Sequence, residues 1–179
     1  PLYYAAVAAL APAGPDPAVE MNPYFLYMPE EERQLWLTTH VNSPLEAPAF
    51  FTGRLLSVLC GGAAVLFAYL FLRLFLSWPL AALGAGLMAF TPQFVFIASS
   101  FSNDMPLTAL CHLGLWQTGV AWQRGLTLRR GLVLGLVVAL AALTKISGLG
   151  LLGSVGLVAL WQARRERSLV PLAAAVLSG

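Results

Sequence analysis

The sequence predicts an all-α, polytopic transmembrane helix bundle with a partly helical extracytoplasmic loop. Three observations predict this class of fold: the apolar composition, the long uncharged runs after Arg54, and the separation of acidic from basic residues along the chain. Hydrophobic residues make up 59% of the 179 positions and charged residues 10%, whereas a soluble domain has about 25% charged residues. A soluble fold of this length could not hide so much apolar surface from water.

The charged residues divide the chain into two parts. Six of the eight acids lie in the first 46 residues, and every basic residue except Arg33 lies at or beyond Arg54. No basic patch with interleaved aromatic residues is present, so nucleic acid is not an expected partner. Cys60 and Cys111 each lie inside an apolar run, which favours small buried hydrophobes over a disulfide or a metal pair.

Residues 1–54 form the predicted extracytoplasmic loop and hold eight of the twelve prolines. The stretch Leu2–Leu10 predicts a short apolar helix that cannot span a bilayer. Pro29 and the three glutamates after it predict the start of a second helix, because acids are favourable at the positive end of the helix dipole. We expect that helix to lie on the membrane surface and to end near Thr39, with aromatic residues at the interface.

Three apolar runs after this loop are each long enough to cross a hydrocarbon core of about 30 Å. The predicted spans are Leu55–Ser77, Pro79–Ser99 and Met105–Trp122. Arg73 lies near the end of the first span, where its long side chain is expected to reach the nearer interface.

The run 131–161 contains a single charge, Lys145. One straight helix would be about 46 Å long and would place the flanking arginines on opposite sides of the membrane. Two short helices, over 131–143 and 147–161, place both arginine clusters on one side. The sequence therefore predicts a hairpin that turns at Thr144–Gly148, and a further span that begins at 169.

The positive-inside rule sets the predicted orientation. The arginine-rich turns fall on one side, which is then cytoplasmic. The opposite face collects residues 1–54, the Ser99–Pro106 turn and the Thr144–Gly148 turn. We therefore expect an integral protein of the plasma (inner) membrane, with its polar site on the outer face.

Two turns on that face carry the main candidate residues. Asn103 and Asp104 precede a helix led by a proline, so they are either helix caps or a functional pair whose carboxylate binds a cation or orients an acceptor hydroxyl. Lys145 lies between two apolar arms, where it either sets the turn or binds an anionic headgroup. The metal requirement stays open.

The remaining candidates are less specific. Arg54 lies at the outer interface against the positive-inside bias, as an anchor or as a ligand for phosphate. His40 is a candidate contact for donor or acceptor in the outer loop, and His112 is expected to hydrogen-bond across helices. Neither histidine has a partner at metal-ligand spacing. The sequence contains neither a GxxxxGK[ST] phosphate loop nor a GxSxG serine elbow.

Together these pieces resemble the GT-C superfamily of membrane glycosyltransferases, and most of all its dolichyl-phosphate-mannose protein mannosyltransferase and aminoarabinose transferase group. The resemblance covers nearly the whole chain and depends on the order and spacing of its motifs. These motifs are Pro1-Leu2-Tyr3-Tyr4, Gly53-Arg54-Leu55-Leu56-Ser57, Thr91-Pro92-Gln93-Phe94, Ser102-Asn103-Asp104 and Ala142-Leu143-Thr144-Lys145-Ile146-Ser147-Gly148.

The resemblance implies an inverting transfer of sugar from a polyprenyl-phosphate donor to an acceptor on the outer face, within membrane lipid. It places Asp104, with Asn103, at the second acidic position of the family, and Lys145 and Arg54 near the donor phosphate. The main catalytic acid of such enzymes follows their first span. The chain begins at Pro1 without a methionine and ends at Gly179 in an apolar run, so we expect both ends to be cuts and that acid to lie upstream.

Two other functions compete with this prediction. A secondary transporter would use broken helices and polar groups near the midplane, but the predicted spans hold few ionisable residues and show no internal repeat. A non-catalytic membrane scaffold would use the outer loop for protein contacts. A carboxylate and a lysine held together in one outer cavity would disfavour the scaffold. The sugar and the acceptor stay open.

Overall fold

The computed structural model describes residues 2–12, 19–21, 36–38 and 48–166. Within these ranges the fold is helical apart from one pair of short strands. The helices are α1 (Leu2–Leu10), α2 (Pro48–Leu72), α3 (Trp78–Ala89), α4 (Pro92–Ala98), α5 (Asp104–Arg124), α6 (Leu128–Thr144) and α7 (Leu151–Glu166), with a 3-10 helix over Ile146–Gly150 before α7.

The loop region matches the prediction in one element and departs from it in another. The predicted helix Leu2–Leu10 is α1. Strands β1 (Val19–Met21) and β2 (Trp36–Thr38) pair in antiparallel register, with Val19 opposite Thr38. The helix expected to end near Thr39 is therefore wrong over Trp36–Thr38, where an aromatic and a β-branched residue favour a strand. Its beginning at Pro29 lies outside the described residues.

Helix α2 begins earlier than the predicted span, at Pro48, because proline suits the first turn of a helix. It has 25 residues and ends at Leu72, so Arg73 lies in the following turn, where its Nη1 donates to the Leu76 carbonyl at 2.7 Å. One face of α2 is lined by small residues and packs mainly against α5. The buried residues of that face are Gly53, Ser57, Gly61, Ala64 and Ala68.

The second predicted span is not one continuous helix. Helices α3 and α4 occupy it, and their axes differ by 66°. Pro92 explains the bend, because proline donates no backbone hydrogen bond and disfavours helical geometry at the residue before it. That residue, Thr91, is extended, and its hydroxyl donates to the Leu87 carbonyl at 2.8 Å.

The predicted hairpin is present. Helix α6 ends at Thr144, Lys145 has extended backbone angles (φ −156°, ψ 137°), and the chain reverses through the 3-10 helix into α7. This 3-10 helix lies directly on α6, since a Cβ added to Gly148 would lie 2.5 Å from the carbonyl carbon of Ala141. Further along, α6 and α7 share a buried cluster with Ala121 of α5.

The helices place the arginine-rich turns together at one end of the bundle, here called the arginine end. Gln162 of α7 accepts a hydrogen bond from the Leu126 amide at 2.6 Å and donates to the Ala121 carbonyl. Gln123 of α5 donates to the carbonyl of Leu74 after α2, at 2.7 Å. The described arginines of this end are Arg73, Arg124, Arg129, Arg130 and Arg164.

Two described helices are long and apolar enough to cross a membrane: Pro48–Leu72, and the continuous stretch Ile146–Arg164. The bent pair Trp78–Ala89 and Pro92–Ala98 is a third if it counts as one span. Helix α6 has 17 residues, and α5 includes Asp104 and Arg124. The crossings assigned to these two helices stay predictions.

Candidate functional site

Asp104 and Lys145 are in direct contact at the end of the bundle opposite the arginine end. Lys145 Nζ donates to Asp104 Oδ1 at 2.7 Å, although the two residues are 41 positions apart in sequence. The side chains are 47% and 41% exposed for lysine and aspartate, so the ion pair faces the surface. The prediction that these two turns lie at one end of the protein is confirmed. We call this region the Asp104 end.

Backbone geometry brings the two turns together. Asp104 is the first residue of α5, and Lys145 is the residue at which α6 ends. Between them, Asn103 Nδ2 donates to the carbonyl oxygen of Thr144 at 3.2 Å. Asn103 thus uses its amide to join α5 to the hairpin, and it makes no side-chain capping bond to α5.

The second carboxylate oxygen of Asp104 is held by Ser102. The Ser102 hydroxyl donates to Asp104 Oδ2 at 2.9 Å and accepts from the Asp104 amide at 3.1 Å. Hydrogen bonds from Lys145 and Ser102 lower the pKa of Asp104 below its ordinary value, against a smaller opposing effect of burial. The carboxylate is therefore ionised at neutral pH, and its contacts exceed what helix capping requires.

Tyr3 of α1 extends this network from the other side. Its side chain is buried, and its hydroxyl donates to the Gly53 carbonyl at 2.7 Å and lies 3.0 Å from Ser57 Oγ. Ser57 Oγ in turn donates to the Ser102 carbonyl at 3.3 Å. These contacts connect α1 and α2 to the turn that carries Asp104. Sequence reasoning assigned no role to Tyr3 or Ser57, although both lie in motifs that carry the family resemblance.

Aromatic rings pack against one another where α1 and α2 meet the turn that carries Asp104. The rings of Tyr3 and Phe101 have centroids 5.7 Å apart, and Phe50 lies 5.9 Å from Phe101. Gly53 makes this approach feasible, because a Cβ at this position would lie 2.1 Å from two atoms of the Phe101 ring. The packing of the Phe101 ring on α2 therefore requires a glycine at this position.

Arg54 and the two histidines have different outcomes. Arg54 Nε donates to the Ser99 carbonyl at 2.8 Å, and its guanidinium lies 5.5 Å from the centre of the Phe50 ring. It is exposed at the Asp104 end but is not joined to the ion pair. His112 Nδ1 lies 2.8 Å from the Thr108 carbonyl of its own helix, and within the described ranges no bond from this ring to another helix is seen. His40 lies outside the described residues.

An apolar groove of about 260 Å³ runs between α1, α2 and α5, and neither Lys145 nor Asp104 lines it. Thr144 and Pro106, close neighbours of Lys145 and Asp104 in sequence, line one end of it, and Phe67 and Leu113 lie deeper. We call it the outer groove. Its other lining residues are Leu2, Tyr3, Ala6, Leu56, Cys60, Ala109 and Leu110.

The acidic and metal-ligating residues of the described ranges are too dispersed for a protein-only metal cluster. Those ranges contain no group of three or more His, Cys, Asp and Glu side chains that could hold a metal ion. The partner of Asp104 is an ammonium group instead. The contacts thus join one anion and one cation beside an apolar groove, which suits an amphipathic ligand with a charged head.

Helices long enough to cross a membrane, with this charged site at one end of the bundle, define a polytopic α-helical membrane protein, and the family to which it belongs has the GT-C fold. The chain belongs to the dolichyl-phosphate-mannose-protein mannosyltransferase family, whose sequence profile matches residues 35–178. It is therefore an integral membrane protein of a glycosyltransferase family. No curated protein and no solved structure matches the chain with significance.

The matched segment covers most of the candidate site. It includes Arg54, Asp104 and Lys145 together with all helices from α2 to α7. It begins after α1, so the resemblance carried by Pro1-Leu2-Tyr3-Tyr4 lies outside it. The role of Tyr3 therefore rests on its contacts alone.

Proposed function

We propose that this chain binds a polyprenyl-phosphate-linked sugar at the Asp104 end and takes part in transfer of that sugar to an acceptor on the outer face of the plasma membrane. The observation that carries the proposal is the Lys145–Asp104 ion pair, whose sequence neighbours Thr144 and Pro106 line the outer groove. A charged head and a long apolar tail are the two parts of such a donor. Membership of the mannosyltransferase family supports the same donor class.

Lys145 is the proposed ligand of the donor phosphate. Its ammonium group is about half exposed, and lysine binds phosphate as a compact point charge. Because Thr144 lines the groove, a phosphate on Lys145 places the first isoprene units against apolar side chains. Positive charge at this position also stabilises the phosphate as it leaves with developing negative charge.

Asp104 has a role that follows from its low pKa. A carboxylate already bound by a lysine and a serine is a weak base. We therefore assign Asp104 the role of orienting Lys145 and an acceptor hydroxyl. When the donor phosphate engages Lys145, it competes with Asp104 for the ammonium group. The freed carboxylate oxygen then accepts a hydrogen bond from the acceptor, with the Asn103 turn fixing its position. Asp104 is therefore not assigned as the base that deprotonates the acceptor.

Arg54 is the proposed second cation for the donor. Its Nε is bound to Ser99, and its terminal nitrogens remain for a phosphate, which arginine binds with a planar fork of donors. His40, in the outer loop, is retained as a proposed contact with donor or acceptor. The arginine end is cytoplasmic in this proposal, and residues 1–54 are extracytoplasmic.

The competing functions fit the geometry less well. The bend between α3 and α4 resembles the broken helices of a transporter, but the ion pair lies at the end of the bundle and not midway along it. A scaffold has no need for a carboxylate and a lysine in contact beside a groove. The family match also favours a glycosyltransferase over both.

The test is sugar transfer by the full-length protein in lipid nanodiscs. We expect Lys145→Ala to raise the KM for a polyprenyl-phosphate sugar about tenfold, as loss of one charge-assisted hydrogen bond predicts, and Asp104→Asn to lower kcat. Ser147→Ala is the matched control, because Ser147 is exposed in the same turn. Wild-type rates in both site variants would reject the assignments.

A further inference from the structure

A second apolar groove lies toward the arginine end, between the end of α2, α5 and α7. Its volume is about 260 Å³, and its two hydroxyl-bearing residues are Thr118 and Ser154. Both hydroxyls donate to carbonyls of their own helices, at 2.8 Å to Gly114 and Leu151. The groove therefore presents an apolar surface. Its lining residues are Phe71, Phe75, Leu115, Thr118, Gly119, Trp122, Ser154, Leu157 and Val158.

We call this second groove the inner groove. Arginines flank the end of it that meets the protein surface. Arg73 lies in the turn between Phe71 and Phe75, two of the lining residues, and is exposed. Arg164 is seven residues after Leu157, so it lies on the same face of α7 about 10 Å further toward the end. Among the described side chains neither arginine forms an ion pair. Two cationic groups are thus available where the groove meets the surface.

Tryptophans mark the depth of that end. Trp122 lines the groove and stacks on Trp161, with ring centroids 3.9 Å apart and planes 17° apart. Arg124 follows Trp122 by two residues at the end of α5. Tryptophan prefers the membrane–water interface. Apolar groove, tryptophan pair and arginines therefore follow one another in the order of acyl chain, glycerol region and phosphate in one lipid leaflet.

We propose that the inner groove is a binding site for one anionic glycerophospholipid of the cytoplasmic leaflet. An acyl chain packs along Phe71 and Leu157, and the phosphate engages Arg73 and Arg164, with Arg124 adding to the local positive charge. Basic pockets between membrane helices on the cytoplasmic side bind lipid headgroups of this kind. This site is separate from the donor site and depends only on the membrane location of the protein and its orientation.

Arginine position distinguishes this site from a general basic surface. Arg129 is equally exposed at the same end, but it lies on α6, which does not line the groove. Arg130 also lies on α6 and is less exposed than Arg73. Its Nη1 donates to the carbonyls of Arg124 and Gly125, whereas Arg73 has one such bond, to Leu76. Arg129→Gln is thus a control with the same change of charge as Arg73→Gln or Arg164→Gln.

The experiment is native mass spectrometry of the full-length protein released from nanodiscs of phosphatidylglycerol and phosphatidylcholine. We expect the wild-type protein to retain one phosphatidylglycerol molecule. The double variant Arg73→Gln/Arg164→Gln should lose this lipid about tenfold more readily. The loss from Arg129→Gln should stay within about twofold of wild type. Leu157→Trp should fill the groove and prevent retention, whereas Leu160→Trp, also exposed on α7 but outside the lining, should not.

Three results would overturn the proposal. Equal loss in Arg129→Gln would show a diffuse charge effect, and equal retention of phosphatidylcholine would show that the headgroup is not recognised. Retention that is unchanged in Leu157→Trp, with a lowered melting temperature, would show that a protein segment occupies the groove. Melting temperatures of the arginine variants within about 2 °C of wild type confirm that they fold, since surface changes have small effects on stability.

Discussion

The two ends of the helix bundle carry positive charge in different ways. At the Asp104 end, Lys145 is bound to a carboxylate, and that carboxylate is bound to Ser102. At the arginine end, Arg73 and Arg130 donate to the backbone carbonyls of Leu76 and Gly125, and among the described side chains no arginine of this end forms an ion pair. An ion pair sets the distance and orientation of its two groups, whereas unpaired guanidinium groups supply a positive potential over a surface. The difference separates a site that aligns a sugar donor from an end whose charge attracts an anionic lipid headgroup.

The largest expected difference in stability comes from a change of packing at Gly53. Gly53→Leu should lower the free energy of unfolding by about 3 kcal/mol, because the new side chain overlaps the Phe101 ring where it packs on α2. Gly62→Leu is the control on the same helix, since no atom lies within 4 Å of its added Cβ. Thermal unfolding in detergent measures both. Equal losses would show that the Asp104 end is not packed as described.

At the arginine end, the buried side chain of Gln162 hydrogen-bonds to two backbone groups. Its removal should have the next largest effect on stability. Gln162→Ala leaves the Leu126 amide and the Ala121 carbonyl without their partner, at a cost of about 2 kcal/mol. Gln123→Ala removes one exposed bond to Leu74 and should cost less than about 1 kcal/mol. Chemical denaturation of both variants compares them. A larger effect for Gln123 would contradict the burial of Gln162.

Tyr3→Phe should have a smaller effect, confined to the Asp104 end. The variant keeps the ring against Phe101 but removes the bonds to Gly53 and Ser57, at about 1 kcal/mol. We also expect a reduced rate of sugar transfer, because the Ser102 turn loses its link to α1. Tyr4→Phe is the matched control, since Tyr4 is 48% exposed. Equal transfer rates in the two variants would remove Tyr3 from the site.

The smallest expected effect is that of pH on the ion pair. Since Lys145 lowers the pKa of Asp104, the pair stabilises the fold above the ordinary aspartate pKa, and this contribution is lost as pH falls through the lower folded value. For a pair this exposed the contribution is below about 1 kcal/mol. Carbon-13 NMR of the Asp104 carboxyl should show its pKa rising in Lys145→Met but not in Arg54→Met. A rise in both would mean that Arg54 also acts on the carboxylate.

Sequence reasoning predicted the features that depend on charge and length. The hairpin at Lys145 and the common side of the arginines follow from a run that has a single charge and is too long for one helix. The bend at Pro92 was not predicted, because the apolar run continues through Pro92 and hydropathy alone defined the ends of the predicted span. The Tyr3–Ser57 contact joins residues 54 positions apart, and local patterns carry no signal for such pairs.

The short hairpin has a consequence for the lipid around the protein. Helix α6 has 17 residues and α2 has 25, which correspond to lengths of about 26 Å and 38 Å. The predicted crossing by α6 is shorter than the usual hydrocarbon core of about 30 Å, and thinning of the bilayer beside it is one way to match the two lengths. Under the proposed function such thinning brings headgroups toward Lys145, and we expect sugar transfer to depend on acyl chain length in the host membrane.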